Sequence, residues 1–402
     1  MLGKHSFGAL GVIQSTVGMF QVFAGFGLGV TATKYVAQYR TTDLEKVHRF
    51  VRSSTMIAAG TGSLMALVLV IIAPRLATNT LAAPALTGPL RLSALMLLLG
   101  AMIGAQLGTL SGFEAFKTIA RITLITGLAG FPLMLAGVYL AGVSGGVAAL
   151  AASMVVNWVL NHLALRSLLP GVGAPRVRSS QTGELWVLWR FSTPAVLSGI
   201  MVAPVLWVCN AMLVNQPGGY GEMGIYNAAN QWRTAVVFLP AVVENMILPV
   251  LSNLRSEGNW TAYRKVVLYN VYFNAGIALV VASVVYAFSP LILKTYGPGF
   301  ESGRPVILVL ALSAVLSATI GVSGQFIASE DRMWWGLFLN LIWAVTLIIG
   351  TWFLVGRGAL GLSLAYLLAY GVHLLTCGCF VYYLLSKQQH SAQSELKTTP
   401  PI

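Results

Sequence analysis

The chain is poor in charge. Of its 402 residues only 9% are Asp, Glu, Lys or Arg, where a water-soluble chain carries about a quarter, so a soluble enzyme of two or three domains is excluded. Cysteine is scarcer: Cys209, Cys377 and Cys379 each sit in an apolar stretch, offer no disulfide framework, and read as packing residues. No G-x-x-x-x-G-K-[ST] loop occurs, which excludes an ATP-driven pump built from this chain alone. Gly142-Val143-Ser144-Gly145 and Gly321-Val322-Ser323-Gly324 lack the spacing of a G-x-S-x-G nucleophile elbow. His373, Cys377 and Cys379 are close in sequence, but the helical turn takes Cys379 off the face of the other two, so packing outranks metal binding. No cofactor and no metal are expected.

What the chain has is apolar length. With 57% apolar residues and a mean hydropathy of +0.79, it reads as an all-α polytopic membrane protein. Runs able to cross roughly 30 Å of hydrocarbon lie between His5 and Lys34, Arg52 and Arg75, Arg91 and Glu114, and Arg121 and Arg166. The last is long enough for two helices, divided at Gly142, Gly145 and Gly146. Others follow between Arg190 and Glu222, Lys265 and Lys294, Arg304 and Glu330, Arg332 and Arg357, and Arg357 and Lys387. A further segment, 223–254, is interrupted by Arg233 and Glu244 and is doubtful on hydropathy alone.

An internal repeat resolves that doubt. Phe7-Gly8 and Met223-Gly224, Pro74 and Pro290, and Glu114 and Glu330 are each 216 residues apart, and Gly146 and Gly361 are 215 apart. Segment 223–254 is therefore the counterpart of the first helix of the chain. By the same offset the helix at 191–214 maps before Met1, giving five helices in the first half and six in the second. A complete version would have six and six, so a helix of about 26 residues is expected to be absent from the N-terminus, through a mis-assigned start or genuine loss. The plainer alternative is an eleven-helix protein with nothing missing. The expected organisation is an N-terminal bundle at 1–168, a basic cytoplasmic linker at 169–189, a six-helix bundle at 190–386 and a disordered tail at 387–402.

The formal charge of +13 is first a matter of topology. Alternating the loops between sides puts 16 of the 24 basic residues on one face and six on the other. The rich side is cytoplasmic by the positive-inside rule, so Met1 faces out and the C-terminus faces in, and no nucleic-acid partner is implied. Lys4 and His5 do not open a signal peptide, because the run after them is too long and its stronger positive flank follows it. The segment from Tyr39 to Arg52, with Leu44, Val47 and Val51 near helical spacing, is expected to lie on the cytoplasmic surface.

Ionisable groups inside spans mark cavities or partners. Arg233 and Glu244, eleven residues apart, fall near one face of their helix, with Asn227, Asn230, Gln231, Thr234 and Asn245 around the same side. The first helix repeats that face faintly in Gln14 and Gln21, and Lys34 lies toward its inner end. Together these are the candidate substrate-lining residues of a polar cavity between two repeat halves; the competing reading is helix packing, with Lys34 snorkelling to the surface. His162 and His373 read as packing histidines, while Trp207 and Trp232 are candidates for more than packing. The outer connections, at 77–88, 215–222 and 294–304, are short. A glycan polymerase or ligase is expected to place a catalytic loop there, so the chain is read as a transporter and not an enzyme.

Leu2-Gly3-x-x-x-Phe7-Gly8, the stretch from Gly25 through Lys34 to Ala37, Tyr226-Asn-Ala-Ala-Asn230 and Tyr296-Gly-Pro-Gly-Phe300 resemble bacterial polysaccharide flippases of the O-antigen (Wzx) type, in the multidrug, oligosaccharidyl-lipid and polysaccharide exporter superfamily. The resemblance implies two bundles in a V, multi-pass in the bacterial inner membrane. The substrate it implies is an undecaprenyl-diphosphate-linked oligosaccharide, flipped from inner to outer leaflet by alternating access, with the bilayer and other polysaccharide-assembly membrane proteins as partners. Arg233 and Lys34 then suit the diphosphate or acidic sugars, and Glu244 a coupling cation or proton. A cation-coupled multidrug exporter of the same superfamily, a glycan polymerase or ligase, and a non-transporting scaffold of envelope assembly are the alternatives.

Overall fold

The computed structural model describes residues 2–25, 27–169, 201–330 and 332–398. Residues 170–200, which carry almost all of the expected linker and the start of the following helix, lie outside the described residues, as do 399–402. All regular structure among the described residues is helical. Seven stretches of them are long and apolar enough to cross a membrane, and two of these, Phe116–Leu168 and Trp334–Ser386, hold two helices each. The chain is a polytopic all-α membrane protein that divides into two compact units, Met1–Asn215 and Gln216–Ile402.

Unit 1 begins with α1 (Lys4–Gly25) and α2 (Leu28–Tyr39), which sequence alone reads as one span. The break falls at the glycine cluster: Gly27 precedes α2 with φ 64°, a left-handed conformation that glycine adopts without steric cost. Past the break, α2 lies close on α4 (Thr87–Gly112), because Gly29 and Gly108 meet backbone to backbone, and Thr33 Oγ1 donates to Gly108 O at 3.1 Å. A small residue at such a crossing is what lets membrane helices approach closely. The glycine-rich run thus serves packing and a bend.

Helix α3 (Leu44–Arg75) starts earlier than expected. From Leu44 the segment from Tyr39 to Arg52 forms the first turns of α3, and Val47, Phe50 and Val51 are buried on one face, where Val47 and Val51 cluster with Val36 and Leu169. Helices α5 (116–140) and α6 (143–168) form the divided span. The turn is made by Ala141 and by Gly142 at φ 55°, and Gly137 and Gly145 touch through their backbones. Helix α7 (Met201–Val214) completes unit 1: Trp207 Nε1 donates to Thr16 Oγ1 at 3.0 Å, Asn210 Nδ2 to Ser15 Oγ at 2.9 Å, and Asn215 Nδ2 to Thr80 O at 2.7 Å. The 216-residue offset assigns this helix to the second half, whereas the structure groups it with the first.

Unit 2 contains α8 (Gly219–Ser256), α9 (Trp260–Ala287), the short α10 (Ser289–Tyr296), α11 (Arg304–Ser329), α12 (Met333–Leu354) and α13 (Gly358–Thr398). Segment 223–254 is a continuous part of α8, as the repeat requires. Helix α13 runs to Thr398, through most of the polar tail whose composition suggests disorder. Helix α11 is the centre of the unit and buries Leu310, Ala314, Ala318, Val322 and Phe326.

The repeat extends to helix ends. Asp43 caps α3 by accepting from the Lys46 N–H at 2.8 Å, and 216 residues on Asn259 caps α9 by accepting from the Ala262 N–H at 3.1 Å. Gly142 has its counterpart in Gly358, φ 64°. The equivalent of Gly361 is Gly145, at an offset of 216: each meets the backbone of the preceding helix.

Candidate functional site

Asn227, Asn230, Gln231 and Arg233 share two turns of α8, and Glu244 lies three turns further on, about 16 Å along the axis. Proximity on one helix does not make them one group, because different neighbours receive them. Arg233 faces α13. Its guanidinium carbon is 5.5 Å from the Tyr366 ring centre and 5.3 Å from that of Tyr370, and Nη2 donates to the Tyr370 hydroxyl at 3.0 Å. Tyr226 lies 6.0 Å from Tyr366, and Trp343 5.8 Å from Tyr370, both centre to centre, so two rings face the cation and two more back them. Electron-rich ring faces are the form of charge compensation that a membrane interior can supply without a second ion.

The cage leaves hydrogen-bonding capacity unused. Arg233 Nε, Asn227 Nδ2 and Asn230 Oδ1 are buried and have no partner among the described residues. An orphaned buried polar group costs about 1–3 kcal/mol, so three on one helix stretch mark a place where a polar ligand gains hydrogen bonds. Gln231 is exposed and accepts from the Tyr296 hydroxyl at 2.8 Å, bringing the Tyr296-Gly-Pro-Gly-Phe300 turn onto the Tyr226–Asn230 segment.

Glu244 faces α11, where its carboxylate lies directly on Gly321; any side chain at 321 would occupy the same space. Arg233 and Glu244 therefore belong to two separate contacts, one with α13 and one with α11. In unit 1, Gln14 and Lys34 are exposed on α1 and α2, while Gln21 is half-buried with its amide against Gly100 of α4.

The remaining candidates resolve into packing. Cys377 Sγ lies 3.8 and 3.7 Å from the two ring nitrogens of His373, and Cys379 is exposed. His162 stacks on Trp158 one turn away, at 5.6 Å between centres. Among the described residues no three His, Cys, Asp or Glu side chains are grouped to hold a metal ion. Trp207 joins α7 to α1. Sequence reasoning missed Tyr366 and Tyr370; their only signal is two tyrosines one turn apart in the middle of an apolar span.

Several known proteins are similar to this chain. The EPS I polysaccharide export inner membrane protein EpsE of Ralstonia nicotianae is 26% identical over 250 residues, 60% of this chain and 55% of that protein, so the chain spans about half the length of that relative. The lipid III flippase of Escherichia coli K12 is 24% identical over 387 residues, 95% of this chain and 91% of that protein. In three dimensions the chain resembles a multidrug resistance MATE family transporter of the MOP superfamily in an inward-facing conformation, with a TM-score of 0.78 over 96% of this chain and 92% of that one; at 15% identity this is a likeness of fold. A family model described as polysaccharide biosynthesis protein matches residues 1–255, more than half of the chain. The chain therefore belongs to the polysaccharide biosynthesis protein family.

Proposed function

We propose that this protein flips an undecaprenyl-diphosphate-linked oligosaccharide, an O-antigen or other surface-polysaccharide repeat unit, from the inner to the outer leaflet of the bacterial inner membrane. The observation that carries the reading is the likeness to the lipid III flippase, which runs through both repeat halves. Alternating access of the two units moves the substrate, and the C-terminus stays in the cytoplasm. Arg233 meets the anionic diphosphate or an acidic sugar through its Nε edge, the part of the guanidinium that the tyrosines leave without a partner among the described residues. Asn227, Asn230 and Gln231, with Gln14 and Gln21 from unit 1, bond sugar hydroxyls. Lys34, exposed on α2, adds positive charge near the inner leaflet. Glu244 takes the coupling proton or cation in its seat on Gly321. Other polysaccharide-assembly membrane proteins supply and consume the substrate.

The deciding experiment is a leaflet-resolved assay of lipid-linked oligosaccharide in cells with the gene, without it, and with Arg233→Ala. Loss of the gene should strand the oligosaccharide in the inner leaflet. The Arg233→Ala protein, present at parental levels, should slow its movement at least about tenfold, since a lost charged hydrogen bond is worth about 1.5–3 kcal/mol. An unchanged leaflet distribution on deletion, with export of a fluorescent cation from proteoliposomes, would assign the chain to drug export instead.

A further inference from the structure

Each unit carries a charged contact at its inner end. Arg40, just past α2, pairs with Glu114, just past α4, at 2.6 Å. In unit 2, Arg255 in the last turn of α8 lies 3.8 Å from Glu330, just past α11. The two glutamates are 216 residues apart and so equivalent within the repeat, while the two arginines, 215 apart, approach them from positions one residue out of register. Both join the inner end of the first helix of a half to the end of the central helix of its unit. Unit 2 adds the Tyr263 hydroxyl, which donates to the same Glu330 oxygen at 3.0 Å. Unit 1 has Val47 at the position of Tyr263, packed among apolar residues, and its glutamate is the more exposed: 63% against 9%.

Glu114 is also conformationally costly. Its φ is 59°, in the left-handed region where a Cβ crowds the following carbonyl and glycine is the natural occupant. Gly258, at φ 68° after α8, shows that ordinary occupant, although it is not the repeat counterpart of Glu114. An exposed ion pair adds little stability, so Arg40 at best offsets the strain, and glycine at 114 would serve the fold as well. Strain retained at a residue whose side chain makes a repeated contact points toward a working role.

We propose that Arg40–Glu114 and Arg255–Glu330 are repeat-related latches that position α2 and α8 for transport, by tying the inner end of each to the central helix of its own unit so that the two move as one body. These are positioning residues and touch no substrate. The proposal rests on the flippase reading only through its transport readout.

The full-length protein, purified in detergent and also expressed in the deletion strain, tests it through Glu114→Gly, Glu330→Gln and the charge swap Arg40→Glu with Glu114→Arg. Thermal unfolding, amide hydrogen exchange and leaflet-resolved transport are read together. Glu114→Gly should melt at or above the parental temperature, yet exchange faster in the last turn of α2 and at residues 113–116. Its transport should fall by about fivefold or more, the lower end of a coupling between separated sites. Glu330→Gln should do the same at the end of α8, and the charge swap should restore slow exchange and transport. Parental exchange and transport in Glu114→Gly would overturn the proposal. So would a lowered melting temperature that the swap does not repair, which would make the contact merely structural. If the parent itself moves no lipid-linked oligosaccharide, the flippase reading fails, and the exchange data still decide the latch.

Discussion

A guanidinium placed in a membrane helix costs about 2.5–3.5 kcal/mol on insertion scales, and Arg233 offsets that cost with tyrosine faces and one hydroxyl. Glu244 uses a different device, an absent side chain on the facing helix. That difference makes the Glu244 contact separable from the rest of unit 2. Replacing Gly321 by Ala forces a methyl group into the carboxylate's place and should cost about 1–3 kcal/mol, as overpacking does. Glu244→Ala in the same chain removes the obstruction, so the double variant should unfold closer to the parent than Gly321→Ala alone. A double-mutant cycle by thermal unfolding in detergent reads the coupling. Equal cost of Gly321→Ala with and without the carboxylate would show that Glu244 does not sit there.

At the scale of elements, the ends of helices are fixed by residues that occupy the same place in both halves. Asp43 and Asn259 are the clearest pair, each accepting from a backbone N–H three residues on. Loss of such a cap costs about 1 kcal/mol. Asp43→Ala and Asn259→Ala should therefore destabilise by similar amounts and independently, because they lie in different units. Hydrogen exchange should localise the effect to the first turn of α3 in one variant and of α9 in the other. An effect spread through both units from either change would contradict this assignment. The repeat itself was legible in the sequence because glycines and prolines with local backbone roles recur at a fixed offset, whereas the two caps emerge only from the structure. The aromatic cage was not legible either, since Arg233 and Tyr370 are 137 residues apart and no periodicity within α8 tells which helix will face it. What residues 39–52 pack against was hidden for a related reason: Val47 and Val51 have helical spacing either way, and only their contacts with Val36 and Leu169 decide that they are buried.

For the whole molecule, sequence repeat and spatial grouping agree on ten of the eleven long helices among the described residues, α7 being the exception. The offset pairs α7 with α8, as the helix preceding it in the second half, whereas three hydrogen bonds from Trp207, Asn210 and Asn215 hold it in unit 1. Polar contacts between membrane helices are worth about 0.6–2 kcal/mol each, so three of them suffice to choose a seat. The choice is open to direct measurement in native membranes, in a background where Cys209, Cys377 and Cys379 are replaced by Ala. Ser15→Cys combined with Asn210→Cys replaces two side chains now joined at 2.9 Å, and disulfide formation needs Cβ atoms about 3.5–4.5 Å apart. Mild oxidation should therefore cross-link this pair with high yield, seen as a mobility shift reversed by reductant. The competitor follows from the offset: Gln231 is the repeat equivalent of Ser15. Preferential cross-linking of Asn210→Cys with Gln231→Cys would return α7 to the second half, and with it the division of the chain that the repeat alone implies.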